Sequence, residues 1–421
     1  MSISLRCRQC RIDRDFLRSP QRRRSKATSG TLRVADLFSG LGGLSLGVQE
    51  ACRRLGLGFE VALAADSDVD SLRAFTSNLP TRVGRTDPIE SIFDGSLGAA
   101  PTASERELTR TSGSVGLLVG GPPCQGVSSL NNYTRMSDKR NQLYSRMARA
   151  AEVLRPAAVL IENVPGVAHD TSKVVKTTIE HLVSLGYSTS STVLQMSSVG
   201  VPQRRQRLIV LGVIGGDAGA ILLDALQTSC GHVRTVNWAI DDLEGLDQVS
   251  QIDRPTKPWK RSLKRMEYLL KQGVFELPNS LRPHCHQGEH SYSSMYGRLR
   301  WDRPAQTITS GFGSMGQGRF VHPAAARTIT PHEAARLQTI PDAYCFPQGL
   351  KRTALAEMMG IGAERGGDEG SAHRSGAACP GLDRGPHSAR GDARHRRDRR
   401  WAAAAPDARA DGLHAPDQGR G

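Results

Sequence analysis

Cys124 stands in the stretch Gly120-Gly121-Pro122-Pro123-Cys124-Gln125-Gly126-Val127-Ser128, after an apolar run from Val115 to Val119. The run reads as a buried strand, and two glycines and two prolines stop it at once. Proline fixes its own φ and restricts the residue before it, so the turn is stiff. The residues after Cys124 read as a mobile loop. A thiol at the carboxyl end of a strand, with one fixed side and one closing side, suits a nucleophile. A free cysteine is more often a small buried apolar residue, so Cys124 alone does not decide the chemistry.

The layout recurs. Ala157 to Ile161 is fully apolar and ends in Glu162-Asn163-Val164-Pro165-Gly166. In an open α/β sheet such strand ends face one crevice, so Glu162 and Cys124 are expected to share a pocket. Val201-Pro202-Gln203-Arg204-Arg205-Gln206-Arg207 leads into a further strand, Leu208 to Val213. Three arginines in four residues are commonly a solvated face. Their place ahead of a buried strand aims them instead at the same crevice, where they could hold a phosphate or a carbonyl oxygen.

These side chains need a scaffold. Leu32 to Phe38 reads as a strand, Ser39-Gly40-Leu41-Gly42-Gly43 as a glycine-rich turn, and Leu44 to Leu55 as a helix of period 3.6. Glycine lets a backbone approach a ligand closely, and the helix start offers free N–H groups. A second strand, Phe59 to Ala65, ends in Asp66-Ser67-Asp68. Asp66 lies where an acid takes ribose hydroxyls in dinucleotide-type folds. It could instead cap a helix from Val69 to Phe75. Asp87 falls in a third βα turn. Residues 95–114 read as a surface insertion. Further helices are expected over Asn141–Leu154, Lys173–Leu185 and Pro331–Thr339, with a strand over Ser188–Leu194.

The formal net charge is +15 and unevenly spread. Residues 1–33 hold ten Lys/Arg against two Asp, and residues 251–310 hold eleven against five Asp/Glu. This concentration points to a polyanion, most simply nucleic acid. Residues 1–31 read as a basic disordered arm. Residues 215–300 lose the βα rhythm and interleave aromatics with basic residues. They read as a small second domain that meets nucleic acid, after which residues 301–362 return to the first domain. From Glu364 to Gly421 there is no Ile, Val, Phe or Tyr and only two Leu, so residues 363–421 cannot build a core.

No window approaches a membrane span, and the N-terminus lacks the apolar core of an export signal. The eight cysteines are therefore expected reduced, in the cytoplasm. The Cys7/Cys10 pair has no second pair of ligands, and His284, Cys285, His286 and His290 match no common spacing, so no metal is expected.

Asp36-Leu37-Phe38-Ser39-Gly40-Leu41-Gly42-Gly43, Gly121-Pro122-Pro123-Cys124-Gln125, Glu162-Asn163-Val164, Gln203 to Arg207, and Arg303-Pro304-Ala305 with Thr307-Ile308-Thr309 occur in one order. Over about residues 32–360 the chain resembles the DNA (cytosine-5) methyltransferases of bacterial restriction–modification systems. The resemblance implies an S-adenosylmethionine-dependent, Rossmann-like α/β fold, with a mostly parallel sheet and a small target recognition domain. Phe38, Ser39, Gly40, Gly42 and Gly43 would hold the cofactor, Asp66 the ribose and Asp87 the adenine. Cys124 would attack carbon 6 of cytosine. Glu162 would bond nitrogen 3, and Arg205 and Arg207 would lie near the carbonyl at position 2 and the cysteine. A stacked base is out of reach, so the target would be flipped out, with Gln125 to about Asn141 as the clamp.

Duplex DNA is the implied partner, with a restriction endonuclease as a further one. A monomer associated with the nucleoid suffices. One departure stands out. The family closes with a Gly-Asn-Ala/Ser-Val stretch, which Ala354 to Gly360 approaches and Ile361-Gly362-Ala363-Glu364 leaves. The tail composition reads as a GC-rich gene in another frame, with impaired activity as the expectation. Two other readings stay open: a tRNA cytosine-5 methyltransferase, and a DNA-binding relic without good cofactor affinity.

Overall fold

The apolar runs that end in Phe38, Asp66, Gly121 and Glu162 become neighbouring strands. In this computed structural model, residues 7–22, 28–123, 143–169, 173–228, 232–245, 250–287 and 294–360 are described. The strands are β1 (Ser29–Leu37), β2 (Leu57–Ala65), β3 (Thr81–Arg85), β4 (Leu117–Gly120), β5 (Ala158–Asn163), β6 (Ser188–Gln195), β7 (Gln203–Arg204), β8 (Gln206–Val213) and β9 (Ala305–Gln306). The helices are α1 (Arg8–Leu17), α2 (Gly43–Leu55), α3 (Val69–Asn78), α4 (Ile89–Ile92), α5 (Ala103–Ser112), α6 (Leu143–Leu154), α7 (Val174–Ser184), α8 (Ala218–Gln227), α9 (Val236–Ile240), α10 (Lys260–Lys271), α11 (Pro331–Leu337) and α12 (Arg352–Gly360).

Seven strands form one sheet in the order β3-β2-β1-β4-β5-β8-β6. The first five run parallel, and β8 runs antiparallel to both neighbours. Register does the positioning. Leu37 pairs with Ala65 and with Gly120, and Gly120 pairs with Ile161. The residues just past these partners therefore emerge along one edge. Because β8 is antiparallel, its start lies at that edge too, with Asn163 opposite Leu208. Leu37, Leu63, Phe93, Leu118, Met147 and Ile161 lie in the main core.

Three expectations meet a different structure. The arm within residues 1–31 contains α1, which buries Cys10 and Leu17, seven residues apart on one face. Its charges are taken up by distant partners. Arg14 and Arg18 bond Asp241, Asp13 pairs with Arg54 at 2.8 Å and with Arg234, and the Trp238 indole donates to the Cys10 carbonyl at 3.1 Å. Residues 95–114 hold α5, started by a reciprocal Thr102–Glu105 capping box. Glu105 also pairs with Arg149 at 2.6 Å, both wholly buried. In the region 215–300, α8 packs on β6 and α9 joins a second core with Leu17, Phe312, Leu337 and Met359. A separate small core contains Met266, Leu269, Leu277, Tyr296, Met315 and Val321. Cys7, Cys10, Cys52 and Cys345 are free thiols. Cys285, expected reduced, is disulfide-bonded.

Candidate active site

A cavity of about 400 Å³ opens at the carboxyl edge of the sheet. One wall carries Phe38, Ser39, Gly40, Gly43, Asp66 and Asp87; another carries Glu162, Arg205 and Arg207. Residues 169 positions apart, Phe38 and Arg207, are thus brought to one space.

The turn after β1 is conformationally demanding. Phe38, Gly40 and Gly42 have φ of 56°, 51° and 77°, a region that favours glycine and is costly for phenylalanine. The two glycines serve different ends. A Cβ on Gly40 would meet nothing within 4 Å, so its backbone is open to a ligand. A Cβ on Gly42 would lie 2.6 Å from the Phe75 ring and 2.9 Å from Leu79. Gly42 lets the turn pack on α3 and is absent from the cavity lining. Asp66 fixes the turn by accepting the Gly40 N–H at 2.7 Å and the Asp68 N–H at 2.8 Å. It does not cap α3: Asp68 does, accepting the Ser71 N–H at 2.6 Å. Asp87 is exposed, and the Arg85 guanidinium at 2.7 Å holds its carboxyl below the ordinary value.

Asp36 is a cavity residue that the strand pattern concealed. It is buried, and the Ser45 hydroxyl donates to it at 2.6 Å. Burial pushes its pKa up to about 8, against the Ser45 hydrogen bond and with the Asp66 charge adding to the rise. The available signal was a lone acid inside an otherwise apolar run.

On the other wall Glu162 is ion-paired with Arg207 through its Nε. Arg205 and Arg207 are buried and Arg204 is exposed, which follows the alternation of an extended chain. Asn163 donates from Nδ2 to the Pro122 carbonyl at 2.9 Å and accepts the Val164 N–H at 2.8 Å. It thereby ties the Pro-Pro turn to β5. Pro123 is buried and lines the cavity, whereas Cys124 and the loop to Asn141 lie outside the described residues. Gln203 accepts the Ile308 N–H at 3.2 Å, and β7 pairs with β9. The arginine segment is thus locked to the segment from Arg303 to Thr309.

Gln338, Thr339, Ile340 and Met358 complete the lining. The expected helix to Thr339 stops earlier, because Thr339 turns to a φ of 64°. Gln338 donates to the Met359 carbonyl, fastening this loop to the end of α12. At Gly360 the backbone lies against Thr309 and Ser310, leaving no room for a Cβ.

The donor set fits a nucleoside-type cofactor: an open glycine backbone, an apolar wall and two carboxylates on successive βα turns. No group of three or more His, Cys, Asp or Glu could hold a metal ion among the described residues. No described helix is long and apolar enough to cross a membrane.

Sheet order and site together define the class of S-adenosylmethionine-dependent methyltransferases. Solved structures agree at the level of fold. A DNA modification methyltransferase encoded within an Escherichia coli prophage is 23% identical with a TM-score of 0.51, covering 79% of this chain and 95% of that one. Entamoeba histolytica methyltransferase EhMeth is 14% identical with a TM-score of 0.53, covering 79% and 93%. Among curated relatives, Type II methyltransferase M1.BsuMI of Bacillus subtilis (strain 168) is 40% identical over 349 residues, 83% of this chain and 81% of its own length. Type II methylase M.HgiDII of Herpetosiphon aurantiacus is 29% identical over 344 residues, covering 78% and 90%. The family model for C-5 cytosine-specific DNA methylases matches residues 32–362, and the chain belongs to this family. Its reaction is methyl transfer to carbon 5 of cytosine in DNA. The match ends at the point where the chain composition changes.

Proposed function

We propose that the cavity binds S-adenosylmethionine beside a cytosine flipped out of a specific duplex sequence, and that Cys124 forms a transient bond to the base. The observation that carries this reading is the convergence of the glycine-turn wall and the Glu162–Arg205–Arg207 wall on one cavity. The cofactor, when bound, supplies an electrophilic methyl group. This chain's residues make carbon 5 receptive to it. The Cys124 thiolate adds to carbon 6, and the ring's electrons move toward nitrogen 3, where a protonated Glu162 donates a hydrogen bond. Arg207 orients that carboxyl, and Arg205 faces the carbonyl at position 2. After methylation the proton on carbon 5 departs to a base, the bond to sulfur breaks, and the ring regains aromaticity. Asp66 and Asp87 take the ribose and the adenine of the cofactor.

The recognition of sequence falls to the region around the small core of Met266 and Tyr296. The protein is read as a monomer acting in the cytoplasm, at the nucleoid, and the Type II relatives motivate a cognate restriction endonuclease as its companion. Segment 363–421, beyond the family match, is read as a shifted frame. The test is methyl transfer from labelled cofactor to mixed-sequence duplex DNA and to tRNA, with Cys124→Ala as control. Transfer to duplex alone, abolished in the control, is the expected result. Duplex binding without transfer by either protein would support a damaged relic, and transfer to tRNA would move the substrate class.

A further inference from the structure

One hydroxyl on the cavity wall has no part in the reading above. Ser71, in the first turn of α3, lines the cavity and is 1% exposed. Its backbone N–H is taken by Asp68, but its Oγ has no hydrogen-bond partner among the described residues. The only other described serine buried in this state is Ser39, and it lines the same cavity. Other buried serines are satisfied: Ser45 donates to Asp36 at 2.6 Å and Ser112 to the Leu108 carbonyl at 2.8 Å. A buried hydroxyl left without a partner costs stability, so two on one wall mark the place of a polar occupant.

The fold sets Ser71 beside the glycine turn. Ser71 and Phe75 are four residues apart and share one face of α3. Phe75 packs against Gly42, where a Cβ would stand 2.6 Å from its ring. The helix begins at the carboxyl edge of the sheet, so Ser71 lies one helical turn nearer the strand end that carries Asp66. These two side chains are complementary. Each Asp66 oxygen already accepts one N–H, from Gly40 and from Asp68. A carboxylate can only accept, whereas a ribose hydroxyl both donates and accepts. Asp66 alone therefore leaves the lone pairs of the ribose oxygens unserved, and Ser71 supplies a donor.

We propose that Ser71 is a further cofactor contact, its hydroxyl donating to a ribose hydroxyl oxygen while Asp66 accepts from the ribose. The inference rests on the reading of the cavity as an S-adenosylmethionine site. It gives Ser71→Ala two effects of opposite direction. Without ligand, the variant has lost an unsatisfied buried group, so it melts at the wild-type temperature or above it. With ligand, it has lost a hydrogen bond, and affinity falls by about threefold to tenfold. A serine that served only the fold would lower the melting temperature instead.

The experiment titrates the full chain, wild type and Ser71→Ala, with S-adenosylhomocysteine and with its 2′-deoxy and 3′-deoxy forms in a calorimeter. Both proteins are also melted without ligand. The expected result is the threefold to tenfold loss with the parent ligand, vanishing with the one deoxy form that lacks the hydroxyl Ser71 serves. Equal losses for all three ligands overturn the assignment to the ribose. An unchanged affinity overturns the contact and leaves the hydroxyl to a buried water. A lower melting temperature of the free variant overturns it as well, by making the serine a part of the fold. A wild type that binds none of the ligands overturns both the contact and the cofactor reading, and the wild-type arm alone tells that case apart.

Discussion

In the proposed reaction Glu162, ion-paired with Arg207 in the free protein, takes up a proton and presents it to the base, so its role depends on an ionisable carboxyl. Glu162→Gln keeps the shape and loses the acid. It is expected to cut methyl transfer by about 10²–10⁴-fold while leaving cofactor affinity unchanged in calorimetric titration. Asp36 makes a prediction about stability. Its folded pKa, about 8, lies above its ordinary 3.8. The folded state therefore holds a proton that the unfolded state has lost between these values, and stability falls as pH rises through that window. Asp36→Asn removes the slope, so thermal unfolding of the variant should be less sensitive between pH about 5 and 8 than that of the wild type. An equal decline in both would count against a protonated Asp36. Glu162, Arg205 and Arg207 were legible because each sits beside a strand end that the apolar pattern marks. Asp36 was not, since nothing in an apolar run states that its one acid will be stripped of water. Asp66 left two roles open, and only the neighbouring Asp68 at the helix start separates them.

At the scale of elements, the glycine turn offers a clean contrast. Gly42→Ala forces a methyl into Phe75 and should cost about 1–3 kcal/mol of stability, read in denaturant melts, with the affinity of surviving protein little changed. Gly40→Ala meets no atom. At a φ of 51° the alanine still strains the turn and costs some stability, but its distinguishing effect should be a raised cofactor KM, because the methyl narrows the approach to the backbone. The strands β1, β2, β4, β5, β6 and β8 and the helices α2, α3, α6, α7 and α11 followed from periodicity to within a few residues. The helix α5 did not, as its Gly, Ser, Ala and Thr surroundings resemble a loop. The Thr102–Glu105 pair three residues apart was the available signal. On α11, His332 bonds Asp253 at 2.7 Å and Asp342 at 2.8 Å. Burial lowers its pKa, but these two hydrogen bonds outweigh that and hold it above its ordinary 6.5. The stabilisation is complete below the ordinary value and is lost as pH rises through the raised one. His332→Gln should flatten that alkaline loss in denaturant melts from pH about 6 to 9. An unaltered curve would show that the network does not depend on the imidazolium.

Across the whole molecule, long-range pairing explains what sequence could not tell. The arginines of α1 looked like a free polycation, yet Arg14 and Arg18 are committed to Asp241, more than 220 positions away. Alanine at both should lower the melting temperature and leave the salt slope of DNA binding unchanged. The fastening of Gln338 to Met359 has a consequence in time. Folding follows synthesis from the N-terminus at about 5–20 residues per second. Met358 closes the cavity, and it leaves the ribosome roughly 8–30 s after Arg207 at that rate. The sheet, Arg205 and Arg207 then exist before the pocket does. Until Met358 is in place, a nascent chain is an incomplete vessel.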